Sequence, residues 1–136
     1  MSASAAIQEL RTRIQNAGYP VTMWRVVDPE TDTLPIAAIN FSDDGEQWEA
    51  DSPLDRVQSL IDVMLVAEYD SEDPELEAVQ EAETFRDLLV ERVPDKRDTL
   101  ADSVSMAYVD NMFIGTRQES TNVFAIFVRV RLEYQE

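Results

Sequence analysis

From Val123 to Tyr134 the chain alternates apolar and polar positions. Phe124, Ile126, Val128, Val130, Leu132 and Tyr134 share one parity, and Arg129, Arg131 and Glu133 take the other. Successive side chains of a strand point to opposite faces, so such a segment belongs in a sheet with one buried face. Val57 to Tyr69 repeats the pattern: Val57, Ile61, Val63, Leu65, Ala67 and Tyr69 on one side, Gln58, Asp62 and Glu68 on the other. Two long strands of this kind exclude an all-helical domain.

Around them the remaining elements can be read in order. Ser4 to Ala17 is expected as a helix: Ile7, Leu10 and Ile14 form its apolar stripe, Ser4 is the candidate N-cap, and Gly18 with Pro20 ends it. Val21 to Val27, with Trp24 in its core, reads as a strand, followed by turn chemistry at Asp28-Pro29-Glu30-Thr31-Asp32. Leu34 to Phe41 is a second strand, and Pro35 places it at a sheet edge or a strand end. Ser42 to Asp51 reads as an acidic turn around Gly45. Pro74 to Arg92 is expected as a second helix with Asp73 as cap, a stripe of Leu76, Val79, Ala82, Phe85, Leu88 and Leu89, and Pro94 as stop. A short connection through Leu100 leads to Val104–Val109, where Val104, Met106 and Tyr108 alternate. An Asp110-Asn111 turn and a polar loop from Gly115 to Asn122 precede the closing strand.

Two helices among five strands predict a single α+β domain over residues 1–136, a mostly antiparallel or mixed sheet of about four to five strands with both helices on one face. Short links favour antiparallel pairs, and the helical crossover after Tyr69 is the place for a parallel relation. The chain is 136 residues long and 44% hydrophobic, enough to bury roughly two-thirds of its unfolded surface. Its start, MSASAAIQEL, lacks the basic and apolar regions of a signal peptide, and no apolar run approaches a membrane span, so a soluble product made in the cytoplasm is expected.

Composition narrows the chemistry. With no His and no Cys, imidazole bases, thiol nucleophiles, thiolate metal sites and disulfides are unavailable. No glycine-rich phosphate loop or nucleophile-elbow sequence is present, and no pair of carboxylates stands out, so the expectation is a non-enzymatic protein without cofactor or metal. Asp and Glu outnumber Lys and Arg 28 to 11, giving a net charge of −17 that repels nucleic-acid phosphates. The acidity fits a surface adapted to high salt, a negative wall past which DNA slides, or an imitation of DNA that occupies a basic partner.

Asn40 to Asp51 places oxygen-bearing residues and Gly45 partly as a calcium loop would, but its flanks read as strands and Asp51 stands where a bidentate Glu is wanted. An acidic hairpin loop is the simpler reading. Five residues are candidates for an interface. Trp48 sits in a polar stretch and either contacts a partner or folds back on its own sheet. Met112 and Phe113 belong to an apolar cluster with Ile114 that is either a strand end or a patch covered by another subunit. Arg129 and Arg131 must pair with carboxylates, within the subunit or across a contact.

The order of these elements resembles a known family. An opening helix is followed by two strands, with Leu34-Pro35-Ile36 introducing the second. A long strand from Leu60 to Tyr69 leads into a helix over Leu76 to Val93, and the chain closes on Val128-Arg-Val-Arg-Leu132-Glu-Tyr134. This is similar to the tail terminator (tail completion, or minor tail protein U-like) family of long-tailed phages and related viruses. The resemblance lies in element order and length over nearly the whole chain, not in a short motif. It implies a virion protein at the neck end of the tail, a homo-oligomer forming a hexameric ring. The ring caps the tube protein, stops its polymerisation and presents a surface to the neck or head-completion protein. DNA would pass through the lumen without specific binding, and the family has no catalytic residues to carry over. A single lysine, Lys96, among so many acids departs from a generic member and points to a salt-loving host, such as that of a haloarchaeal virus. The alternative from another class is an acidic inhibitor that mimics DNA and blocks a basic nucleic-acid-binding protein.

Overall fold

The computed structural model describes residues 2–23, 27–29, 31–48, 56–91, 97–116 and 122–135, the side chains of 42–48, 56 and 135 excepted. Its elements run α1 (Ala3–Asn16), β1 (Val21–Met23), β2 (Ile36–Trp48), β3 (Arg56–Glu68), α2 (Pro74–Leu89), β4 (Met106–Thr116) and β5 (Val123–Gln135). They form the expected α+β fold: one mixed, five-stranded sheet in the order β1-β2-β3-β5-β4 with two helices.

The two strongly alternating segments are the sheet's axis. β3 and β5 pair antiparallel over thirteen positions, from Arg56↔Gln135 to Glu68↔Val123. Their apolar parities fall on one face, where Val57, Ile61, Val63, Leu65, Ile126, Val130 and Leu132 are fully enclosed. Both helices cover that face. α1 contributes Ala6, Ile7, Leu10 and Ile14, and α2 contributes Ala82, Phe85 and Leu89 to the same core. One polar pair is accepted there, Ser59 and Tyr134, whose hydroxyls meet at 3.0 Å. Each satisfies the other, which removes most of the cost of burying them.

β3 and β4 both run antiparallel to β5 and are therefore parallel to each other, with β5 lying between them. The α2 crossover thus spans two strand positions. β1 pairs parallel with β2 through Val21↔Ala37, Thr22↔Ala38 and Met23↔Ile39, where a short link had suggested an antiparallel pair. The connection returns over the opposite face of the sheet. Val27 and Leu34 pack there on Ile36, Ala38, Met64, Val66, Val123 and Ala125 as a second small core.

Several local expectations need correction. α1 begins one residue earlier than read, with Ser2 as N-cap: its hydroxyl accepts from the Ala5 N–H at 3.2 Å. Its end follows the expected glycine rule: Gly18 has φ +96°, and Tyr19 N–H reaches back to the Ile14 carbonyl. Ser42 to Trp48 belongs to β2 rather than to a separate loop; its pairing with β3 breaks over Ser42–Gly45, where the register shifts, and resumes as Glu46↔Ser59, Gln47↔Gln58 and Trp48↔Val57. The calcium-loop reading over Asn40–Asp51 falls, from Ser42 onward, on side chains outside the described residues. Asp51 and Trp24 lie outside the described residues. α2 ends at Leu89, and its buried stripe is Ala78, Ala82, Phe85 and Leu89, whereas Leu76 and Val79 are 53% and 43% exposed. Asp110-Asn111 is a β-bulge within one continuous strand, since Val109 faces Val130 and Asn111 faces Arg129. In β4 it is Ala107, not Met106 or Tyr108, that is buried.

Candidate functional site

The face of the sheet away from the helices is where the interface candidates converge. Register sets it: Gln58, Asp62 and Met64 of β3 stand beside Arg131, Arg129 and Phe127 of β5 at or next to paired positions, and Tyr108, Asn111 and Phe113 follow on β4. The face has two halves. One is the small core under Val27 and Leu34. The other is open and carries a ladder of charges ending in an aromatic pair.

Within the ladder Arg129 and Asp62 are direct cross-strand neighbours. The Arg129 Nε donates to Asp62 Oδ1 at 2.9 Å and its Nη2 to Oδ2 at 3.3 Å. Arg131 donates from Nε to Asp110 Oδ1 at 3.2 Å and from Nη1 to Gln58 Oε1 at 3.1 Å. Tyr108 donates to Glu133 Oε1 at 3.3 Å. Burial pushes the Tyr108 hydroxyl's pKa up, and the Glu133 charge adds to that. Both arginines find carboxylates within the chain. Asp110 reaches Arg131 because it occupies the bulge, where an extra residue re-aims its side chain. Phe113 and Phe127, opposite one another in register, stack with ring centroids 4.7 Å apart, and Phe113 is 56% exposed.

Not all five candidates meet. Phe113, Arg129 and Arg131 share the open face. Met112, next along β4, turns the other way and packs against the helix-side core. Trp48 ends β2 opposite Val57, and its side chain lies outside the described residues. Sequence reading missed Asp62, Asp110 and Phe127 as their partners. Their signal was cross-strand register, which does not exist until the strands are paired.

A second polar constellation lies at the helix side, and nothing in the sequence announced it. Asp98 is 7% exposed and takes both prongs of Arg13, at 2.6 Å to Oδ2 and 3.0 Å to Oδ1. It also accepts the N–H of Glu91 at 2.7 Å and of Leu100 at 2.9 Å. Arg13 further donates to the Leu89 carbonyl, so one ion pair ties the end of α1 to the end of α2 and to the turn after Asp98. Burial pushes the Asp98 carboxyl up, but the Arg13 hydrogen bond, the two N–H groups and the Arg13 charge outweigh it, and the net direction is down. Its hydrogen bond to Asp98 holds the Arg13 guanidinium above its ordinary value, against a smaller opposing effect of burial.

The turn that follows is strained. Leu100, Ala101 and Asp102 have φ of 46°, 56° and 62°, three left-handed residues in a row without a glycine. Thr99 Oγ1 accepts the Asp102 N–H, Ser103 donates to the Leu100 carbonyl, and Leu100 is fully buried as the turn's anchor. Between this turn and α1 lies a shallow depression of about 330 Å³ lined by Ser2, Gln8, Glu9, Thr12 and Asp102 among others. It brings together hydroxyls and carboxylates, and its Glu9 is engaged by Arg13. Among the described residues no group of three potential metal ligands occurs. No helix in the described residues is long and apolar enough to cross a membrane. Beneath α2, the Tyr69 hydroxyl is enclosed without a hydrogen-bond partner among the described residues. Burial first, and then the Glu81 carboxylate, raise its pKa far above the ordinary value.

No protein-family model matches this chain, and no curated protein matches its sequence. A functional reading must therefore rest on the fold and on the surfaces it exposes.

Proposed function

We propose that this chain is a structural virion protein: a ring-forming tail terminator that caps the tail tube, stops its polymerisation and joins the tail to the neck. The observation that carries the reading is the arrangement of elements. A helix, two strands, a long strand, a crossover helix and two strands fold into one sheet with both helices on one face, and the element order on which the resemblance rests is kept. That arrangement leaves the open half of the opposite face, beyond the small core under Val27 and Leu34, available to neighbours. The partners in this reading are other copies in a hexamer, the tube protein on one side of the ring and the neck or head-completion protein on the other. A net charge of −17 suits a lumen that DNA traverses without being held. The protein then has no catalytic role, and its work is to terminate and to join.

The test is the mass of the purified chain by light scattering behind a sizing column, in dilute buffer and in molar KCl. A six-subunit mass supports the ring. A monomer under every condition overturns it, and a tight, salt-sensitive complex of that monomer with a basic nucleic-acid-binding protein would favour an acidic inhibitor instead.

A further inference from the structure

We infer that copies of this chain meet one another through the open face of the sheet at the Phe113–Phe127 stack and the adjoining end of β4. The inference rests on the ring reading and names its contact surface.

Self-association of so acidic a chain is first a question of charge. Any contact sets a surface against one bearing the same sign, so the favoured patch has apolar area and its charges already balanced. Exposed large apolar side chains among the described residues are Phe41, Leu76, Val79 and Phe113. Leu76 and Val79 lie on α2 among Glu72, Asp73, Glu75, Glu77 and Glu83, none with a cationic partner among the described residues. Two such helices brought together would crowd like charges within a Debye length of about 8 Å. Phe113 instead lies beside a ladder in which Arg129 holds Asp62 and Arg131 holds Asp110. Both arginines enter a contact with their carboxylates attached, which lowers the repulsion they would bring.

Size decides how much of the face must be used. A stable interface takes roughly 800 Å² from each partner, and the whole chain exposes 7992 Å². The aromatic pair alone does not reach that area, so the contact has to extend along the sheet. β4 offers the extension. It is one of the two edge strands, and among the described residues its outer side meets only the Asp98–Ala107 bridge. The bulge and Asp110 guard its first half in the manner of protected edges. Beyond the bulge, Met112 to Thr116 carry no charge at all. A like-charged copy therefore finds, in one place, exposed aromatic surface, a strand edge and balanced charges. A basic partner would be drawn to the α2 side instead.

Two measurements test this on the full chain in KCl of about 0.15 M, where the screening length is about 8 Å. Phe113→Asp should weaken self-association at least tenfold by light scattering, with far-UV circular dichroism unchanged, while Val79→Asp leaves the mass as it is. Because the native chain has no cysteine, single variants Thr116→Cys and Val79→Cys give clean reporters. Maleimide labelling of Thr116→Cys should be at least tenfold slower in the assembled than in the dilute protein, and labelling of Val79→Cys equal in both. A native chain that is monomeric at every concentration overturns the ring and this contact together. An oligomer that survives Phe113→Asp, or that protects Val79→Cys and not Thr116→Cys, overturns the contact alone.

Discussion

Two arginine–aspartate pairs in this molecule have nearly the same hydrogen-bond geometry and opposite consequences. Arg13–Asp98 and Arg129–Asp62 are both two-pronged, with shortest contacts of 2.6 and 2.9 Å. The Asp98 side chain, however, is 3% exposed and that of Asp62 is 37% exposed. In the first pair the carboxylate is shut off from water, while Arg13 keeps 22% of its side chain exposed and Glu9 as a second partner; losing Arg13 strands a buried charge, and losing Asp98 leaves the N–H groups of Glu91 and Leu100 without their acceptor. In the second, water screens the pair and competes for it, so its net worth to folding is small. The buried pair is architectural, while the exposed one conditions a surface. A sequence writes both with the same two letters.

Removing one member of the buried pair is the harshest way to sharpen this contrast. Asp98→Ala should cost about 3 kcal/mol, a drop of roughly 10 °C in Tm for a chain of this size, read by thermal melting. The same group fixes the acid limb. Its pKa is lowered on folding, so its stabilisation is present above the unfolded value and is lost as pH falls below about 4 towards the folded value. Asp98→Asn should flatten that limb.

Salt acts on the whole surface rather than on one pair. Going from 0.1 M to 1 M KCl shortens the screening length from about 10 to about 3 Å, and a chain at −17 should melt several degrees higher. A flat or falling curve would remove the high-salt reading and leave the ring untouched.

Ala101→Gly tests whether the Asp98 corner holds its turn under strain. Glycine is at ease at φ 56°, and relief of about 1 kcal/mol is expected as a rise in the urea midpoint. No gain would mean that the turn is not where the strain sits. Asp62→Ala is the smallest effect, under about 0.5 kcal/mol in stability. A loss near that of Asp98→Ala would erase the distinction between the two pairs.

What could be read in the sequence was what repeats locally. The alternation in β3 and β5 fixed their faces, and Asp73, Pro74 and Gly18 marked helix ends correctly, because period and cap chemistry are properties of neighbouring residues. The errors lie where distant pairing overrides local preference. Ser42-Asp43-Asp44-Gly45 has turn chemistry, yet β2 continues through it to be paired with β3. The stripe read for α2 holds at Ala82, Phe85, Leu88 and Leu89, but in the first turns the helix turns Ala78 to the sheet and leaves Leu76 and Val79 outside. Arg13 and Asp98 stand 85 positions apart and share no motif, so only the folded chain reveals them. Of the interface candidates, Phe113, Arg129 and Arg131 come together, and the alternation of β4 sends Met112 to the opposite face.

The place of β5 in the sheet has a consequence for how the molecule is made. A ribosome delivers β3 and β4 before the strand that must lie between them. Until Val123 to Gln135 follows, β3 keeps one bare edge and β4 has no neighbour to join. Contacts of long sequence separation therefore come last, a slow order of assembly in which exposed edges invite wrong pairings. The nascent chain is at its most vulnerable just before its most regular segment arrives.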